Sequence, residues 1–266
     1  MEALAALGAV DFLMWVVTGI STGLTQGFSI QLSQYYGAKD FENLRKSLAH
    51  SYRLTAFIAA GVLILSQSFA SLVLTGLHTP SNIIGMSLLY LRIIFCGIPA
   101  TAAYNMFASA LRAMGNSKTP LTAMIIASVL NVSLDILFVA GFGWGVAGAA
   151  IATVIAQSFS AVYCFLILRR IDIVHLTRAD FMPASGMNAR LMKLGIPVVF
   201  QNIIIGVGGL VVQYVINGYG FLFVAGFTAT NKLYGLLEMA AISYGYAIVT
   251  LSLIHISEPT RPLYIS

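Results

Sequence analysis

Two polar residues one helical turn apart, Asn131 and Asp135, stand in the predominantly apolar run from Leu121 to Gly141. The run is long enough to cross a bilayer, and Asp135 is its only ionisable side chain. A carboxylate at that depth is costly unless it is paired, hydrated or protonated, which marks it as functional by default. At i and i+4 the amide and the carboxylate share one helical face. Asp135 lies six residues before Gly141, hence about 9 Å below the helix end. Thr153 lies eight residues after Gly145, about 12 Å below the start of the next apolar run. With the two runs as antiparallel neighbours, a carboxylate, an amide carbonyl and a hydroxyl converge at similar depth. Such hard oxygens suit Na⁺ or a proton rather than a soft metal. The plainer alternative has Asn131 and Thr153 satisfying only backbone groups or each other.

The elements that must carry these residues are spanning helices. The chain is 59% hydrophobic and 9% charged, with a mean hydropathy of +0.89. Soluble domains hold roughly 45–50% apolar and ~25% charged residues. An all-α integral membrane protein is therefore expected, a polytopic helix bundle with about seven transmembrane helices. They fall near 8–35, 47–74, 83–113, 119–141, 145–168, 194–217 and 221–250.

The net charge of +5 does not indicate nucleic acid, because the basic residues sit in short connections between spans. Lys39, Arg45, Lys46 and Arg53 flank the first connection, Arg112 and Lys118 the third, and Arg169, Arg170, Arg178, Arg190 and Lys193 the fifth. The second, fourth and sixth carry no Lys or Arg. Odd connections are then cytoplasmic and even ones outside. Met1-Glu-Ala-Leu-Ala-Ala-Leu7 lacks the basic start of a signal peptide.

Other positions have assigned expectations. Gly19, Gly23 and Gly27 repeat every fourth residue and predict close helix packing, with neighbouring Gln26 a lesser candidate for lining a substrate path. Pro99 predicts a kink in the third span, Pro120 the first turn of the fourth, and Pro197 the first turn or an early kink of the sixth. Asp11 and Arg92 are placed to snorkel outward. Asn231, Lys232 and Glu238 mark the last span; Glu238, near its midpoint, divides evenly between a functional role and pairing with another helix. Asn231 and Glu238 join Gln26 as substrate-path candidates. Cys96 and Cys164 lie in apolar helices and form no metal motif or disulfide framework. No enzyme is expected: Asp135 and Glu238 are the only deep acids, with nothing to make them face each other, and no nucleophile–base pair or phosphate loop is present. No cofactor is called for beyond Na⁺ or H⁺ as a coupling ion. The stretch Leu251-Ser-Leu-Ile-His-Ile-Ser-Glu-Pro-Thr-Arg261 resembles a translated sequencing-library adapter, so 251–266 is set aside as non-native.

Three stretches in order resemble the MATE (multidrug and toxic compound extrusion) transporters. They are Gln34-Tyr-Tyr-Gly-Ala-Lys-Asp40; Pro99 followed by Ala110-Leu-Arg-Ala-Met-Gly-Asn-Ser-Lys-Thr-Pro120; and Asn131-Val-Ser-Leu-Asp135 followed by Gly145 to Gln157. The resemblance implies twelve helices in two pseudo-repeated six-helix lobes, working by alternating access as a Na⁺- or H⁺-coupled antiporter. The exported molecules would be hydrophobic or cationic drugs, and the protein a monomer in the bacterial cytoplasmic membrane. It places residues 1–170 in the amino-terminal lobe as helices two to six, 171–193 as a cytoplasmic linker, and 194–250 as helices seven and eight. The family's first helix, with its own acidic residue, and the last four would then lie outside this sequence. Asn131, Asp135 and Thr153 match three of the family's cation ligands. A faint internal echo at a shift of 218 positions pairs Gly8 with Gly226, Gly27 with Gly245 and Phe28 with Tyr246. Further alternatives are a lipid-linked oligosaccharide flippase of related plan, which predicts a more basic cavity than Arg92 and Lys232 offer, and a non-functional gene fragment.

Overall fold

The computed structural model describes residues 6–184 and 186–257, with the side chains of 236, 237, 240, 246, 250 and 253–257 left aside. The described residues are helical: α1 (Asp11–Gly37), α2 (Phe41–Gly76), α3 (Ile84–Cys96), α4 (Ile98–Ala113), α5 (Lys118–Asp135), α6 (Gly145–Leu168), α7 (Met187–Asn217) and α8 (Phe221–Ser257). A π-helical turn, Ile136–Gly141, continues α5, and two 3-10 turns, Asp172–Val174 and Arg178–Phe181, lie between α6 and α7. Five helical stretches are long and apolar enough to cross a membrane, and the bent pair α3–α4 makes a sixth. The seventh expected span is α8, which continues through Ser257 into the segment set aside as non-native; 258–266 lies outside the described residues.

The apolar residues face outward, as a bilayer requires. Only 6% of the most apolar window of α5 is buried, against 44% for α1. Large side chains such as Ile64, Leu72, Val129, Ile136, Val162 and Ile204 stand exposed, a distribution that only lipid would tolerate. The buried core is small by contrast. Phe28, Leu32, Leu44, Leu48, Met106, Leu111, Leu168 and Leu191 tie α1, α2, α4, α6 and α7 together towards one end. Leu13, Leu74, Leu91 and Phe95 join α1, α2 and α3 towards the other.

α1 is the central helix, in contact with α2, α4, α7 and α8. Its glycines make this possible, as their spacing predicts. A Cβ on Gly23 would lie 2.9 Å from the Val199 Cα, and one on Gly27 would overlap the Gly195 backbone of α7. Gly245, the echo partner of Gly27, faces open space. A tight turn through Lys39 (φ +58°) leads from α1 to α2, where Asp40 caps the helix by accepting from the Asn43 backbone N–H at 3.1 Å.

The expected kink of the third span is real, but it forms at Gly97 rather than at Pro99. α3 and α4 meet there at 48°, with Pro99 in the first turn of α4, where its missing N–H leaves no bond unmade. A Cβ at Gly97 would come within 2.7 Å of Val154 on α6, so the break also permits close packing. Pro120 occupies the first turn of α5 as expected. α7 begins at Met187, within the stretch read as linker, and Pro197 therefore lies inside the helix rather than in its first turn.

One further expectation changes. Asp11 does not simply snorkel: its Oδ2 lies 3.2 Å from the Lys232 Nζ of α8, a pair that sequence spacing gives no hint of. The segment between α6 and α7 is folded against the first helices. Asp180 accepts from Thr177 N at 2.7 Å and Thr177 Oγ1 at 2.8 Å, and Arg45 reaches it at 3.9 Å. His50, 2% exposed, places Nδ1 2.7 Å from Asn188 Oδ1 and Nε2 3.1 Å from the Met182 carbonyl.

Candidate cation site

α5 and α6 form an antiparallel hairpin, and its turn decides what meets what. Gly143 (φ +70°) and Gly145 (φ +54°) reverse the chain in the left-handed region, where side chains are strained. Gly148 allows α6 to approach Phe138, whose Cβ would lie 3.0 Å from an added methyl. Directly after Asp135 the backbone widens into the π turn, in which Phe142 N donates to Leu137 O at 2.9 Å. Such turns concentrate at functional positions because they free or redirect a group that a regular helix would tie up.

The hairpin brings Asn131 and Thr153 together, whereas depth along the helices sets Asp135 level with Thr153: the hydroxyl meets the amide one turn further from the hairpin turn. Asn131 Nδ2 donates to Thr153 Oγ1 at 3.5 Å, a long bond, and Thr153 Oγ1 donates to the Ala149 carbonyl at 3.0 Å. Asp135 stands one turn along the same face and does not join the pair. Its Oδ1 is shielded from solvent and has no hydrogen-bond partner among the described residues. The alternative in which the amide and hydroxyl satisfy each other is thus part of the answer, but it does not account for the carboxylate. A shielded carboxylate oxygen without a donor is costly, and a cation or a proton is what would relieve it.

Asn131 and Thr153 also line a cavity of about 490 Å³, including its mouth, with Tyr104, Met124, Ser128, Gln157 and Ser160. Tyr104 Oη and Gln157 Oε1 are likewise buried without partners among the described residues. Sequence reading missed these residues. The signal was present on α6, where Thr153, Gln157 and Ser160 recur at helical spacing among alanines and isoleucines. Tyr104 could not be found that way, because it comes from α4.

The three substrate-path candidates separate. Gln26 lines a second polar cavity with Thr22, Thr25, Ser29, Asn105, Ser109 and Arg112. Asn231 is half-buried and Glu238 is exposed, and neither lines either polar cavity. Glu238 makes no ion pair among the described residues.

The family described as MatE matches residues 1–137. Over 247 residues the chain is 31% identical to a probable multidrug resistance protein, YpnP, of Bacillus subtilis, covering 93% of this chain and 55% of that one. It is 23% identical to the multidrug export protein MepA of Staphylococcus aureus (strain NCTC 8325), covering 89% and 52%. The chain spans about half the length of the curated relatives it matches. Among solved structures, an inward-facing multidrug resistance MATE family transporter of the MOP superfamily superposes with a TM-score of 0.83 at 22% identity, over 96% of this chain and 62% of that one. The MATE multidrug transporter DinF-BH, solved as a complex, gives 0.86 at 21%, over 97% and 58%.

Proposed function

Because the chain belongs to the MATE family of multidrug transporters, we propose that it is part of a cation-coupled antiporter that exports drug-like, often cationic, small molecules across a bacterial cytoplasmic membrane. The observation that carries the coupling role is the shielded, partnerless Oδ1 of Asp135, one helical turn along α5 from the Asn131 that bonds Thr153. Relatives named as multidrug proteins in Bacillus and Staphylococcus support the substrate class and the membrane.

In this reading Na⁺ or H⁺ is a transported substrate that enters from outside. Asp135 supplies the negative charge. Asn131 Oδ1 and the remaining lone pair of Thr153 Oγ1 supply neutral oxygens, a hard donor set suited to a small cation. Protonation of Asp135 would equally give its Oδ1 a hydrogen to donate. Either event removes an uncompensated charge from the low-dielectric lobe, so the two access states differ in free energy according to the occupancy of the site. Alternating access then follows as the lobes rearrange and the drug moves the other way.

The test is dye efflux by cells carrying the full-length gene. Asp135→Asn keeps the shape and removes the charge. Loss of ion-dependent efflux with normal membrane insertion is expected, and intact coupled efflux would overturn the assignment.

A further inference from the structure

An apolar groove opens on the flank of the bundle, where α4 lies between α2 and α6 and contacts both. It holds about 800 Å³, including its mouth, and apart from Tyr52 and Thr55 its lining is apolar. The hollow exists because Ala56 and Ala60 of α2 and Ala103 of α4 stand where larger side chains would fill it. Ala56 and Ala60 are exposed, so the groove is open along its side rather than sealed within the protein. Along α2 the lining runs from Tyr52 to Leu63, about 16 Å at the rise of a helix. That is the depth of one leaflet, half of a hydrocarbon core ~30 Å thick.

One end of the groove is aromatic and carries charge. Tyr52, Phe107 and Phe165 lie in succession there, with neighbouring ring centroids 5.4 and 5.2 Å apart. The Arg169 guanidinium stands over the Phe165 ring, 5.6 Å from its centroid. Arg170 follows it, and Arg53 follows Tyr52 on the other wall; all three arginines are exposed. None makes an ion pair among the described residues, and Arg53 gives one N–H to the Phe181 carbonyl at 3.5 Å. This end adjoins the first and fifth connections, which the loop charges place in the cytoplasm. Positive charge is thus gathered where the heads of the inner leaflet lie.

We infer that the groove is a binding site for an anionic phospholipid of the cytoplasmic leaflet. One acyl chain lies along α4 between α2 and α6, and the phosphate meets Arg169, with Arg53 and Arg170 beside it. A groove this apolar stays dry, and lipid chain is what the bilayer has to fill it. Chain burial gives no selectivity, because the surrounding hydrocarbon is as apolar as the groove. The arginines supply it, since a guanidinium fork offers two N–H groups to one phosphate. A zwitterionic head carries its own ammonium and gains less. The inference does not rest on the export reading.

Native mass spectrometry of the full-length protein, titrated with phosphatidylglycerol or phosphatidylcholine, reads the tightest bound lipid. The wild type is expected to hold phosphatidylglycerol about tenfold or more tighter than phosphatidylcholine, at roughly fivefold per engaged arginine. Arg169→Gln is expected to lower that preference about fivefold. Lys193→Gln removes an exposed charge of α7 near the same membrane face that does not line the groove, and should leave the preference unchanged. Ala60→Phe fills the groove and keeps every arginine; it is expected to weaken both lipids several-fold. The lipid site is wrong if the wild type binds both lipids equally, or if Ala60→Phe keeps the tight phosphatidylglycerol. It is equally wrong if Lys193→Gln costs as much as Arg169→Gln, which would mark a general attraction to the basic face.

Discussion

Thr153 shows how one side chain divides its roles. Its hydroxyl hydrogen goes to the Ala149 carbonyl and its oxygen faces Asn131, so it can serve a cation only as a neutral acceptor. Thr153→Val keeps the shape and removes that acceptor. At about 1 kcal/mol per neutral hydrogen-bonding group, a roughly five-fold loss of coupling-ion affinity is expected, measured by ion-dependence of efflux in the full-length protein. Thr153→Ser should restore it. Asp40 offers a separate test outside the membrane. Its bonds to the Asn43 side chain and backbone hold its carboxyl below the ordinary value of 3.8. A lowered folded-state value means that the cap's contribution is complete above that pH and is lost as pH falls through the depressed value. The thermal midpoint of the wild type should therefore drop on strong acidification by more than that of Asp40→Ala, which lacks the cap at every pH and starts about 1 kcal/mol less stable.

Helix packing depends on positions where no side chain fits. Gly27 lies against the Gly195 backbone, and neither helix can yield by moving a flexible side chain. Gly27→Ala is expected to cost about 1–3 kcal/mol through overpacking, read as a lowered melting temperature in detergent. Gly61 on α2 has nothing within 4 Å of its added methyl, so Gly61→Ala should be neutral or stabilising by up to about 1 kcal/mol. The glycine seam was legible because spacing alone defines a face. Sequence places the bend at Pro99, but a proline is tolerated in a helix's first turn, and the break lies at Gly97, where the missing side chain leaves room for Val154. The π turn after Asp135 was not legible: Ile136 to Gly141 reads as ordinary apolar helix, and its widening reflects how the hairpin closes.

Across the molecule, the segment between α6 and α7, together with the first turn of α7, behaves as a clasp. His50 on α2 holds Met182 and Asn188, Arg190 Nη1 donates to Tyr35 Oη at 3.1 Å, and Gln31 Nε2 reaches Met187 Sδ at 3.0 Å. At the other end, Asn217 Nδ2 donates to the Leu77 carbonyl at 2.9 Å and Asp11 pairs with Lys232. α7 and α8 are thus tied to the first helices at both ends. His50→Ala would leave the Asn188 amide and the Met182 carbonyl without their buried partner and release the clasp. Trypsin should then cut at Arg178 several-fold faster than in the wild type, with the helices otherwise intact.

Composition and period alone determined the membrane class, the α1 packing face and the polar positions in the apolar α5–α6 hairpin. Each follows from local rules: apolar length, three-to-four-residue spacing and depth along a helix of fixed rise. Tertiary structure decided the rest. It paired Asn131 with Thr153 but left the Asp135 oxygen alone, joined Tyr104 and Gln157 from different helices in one cavity, and set Arg112 opposite Gln26. Those outcomes depend on which helix faces which and on how each is rotated about its axis. Side chains far apart in the chain set both, and no window of sequence contains them together.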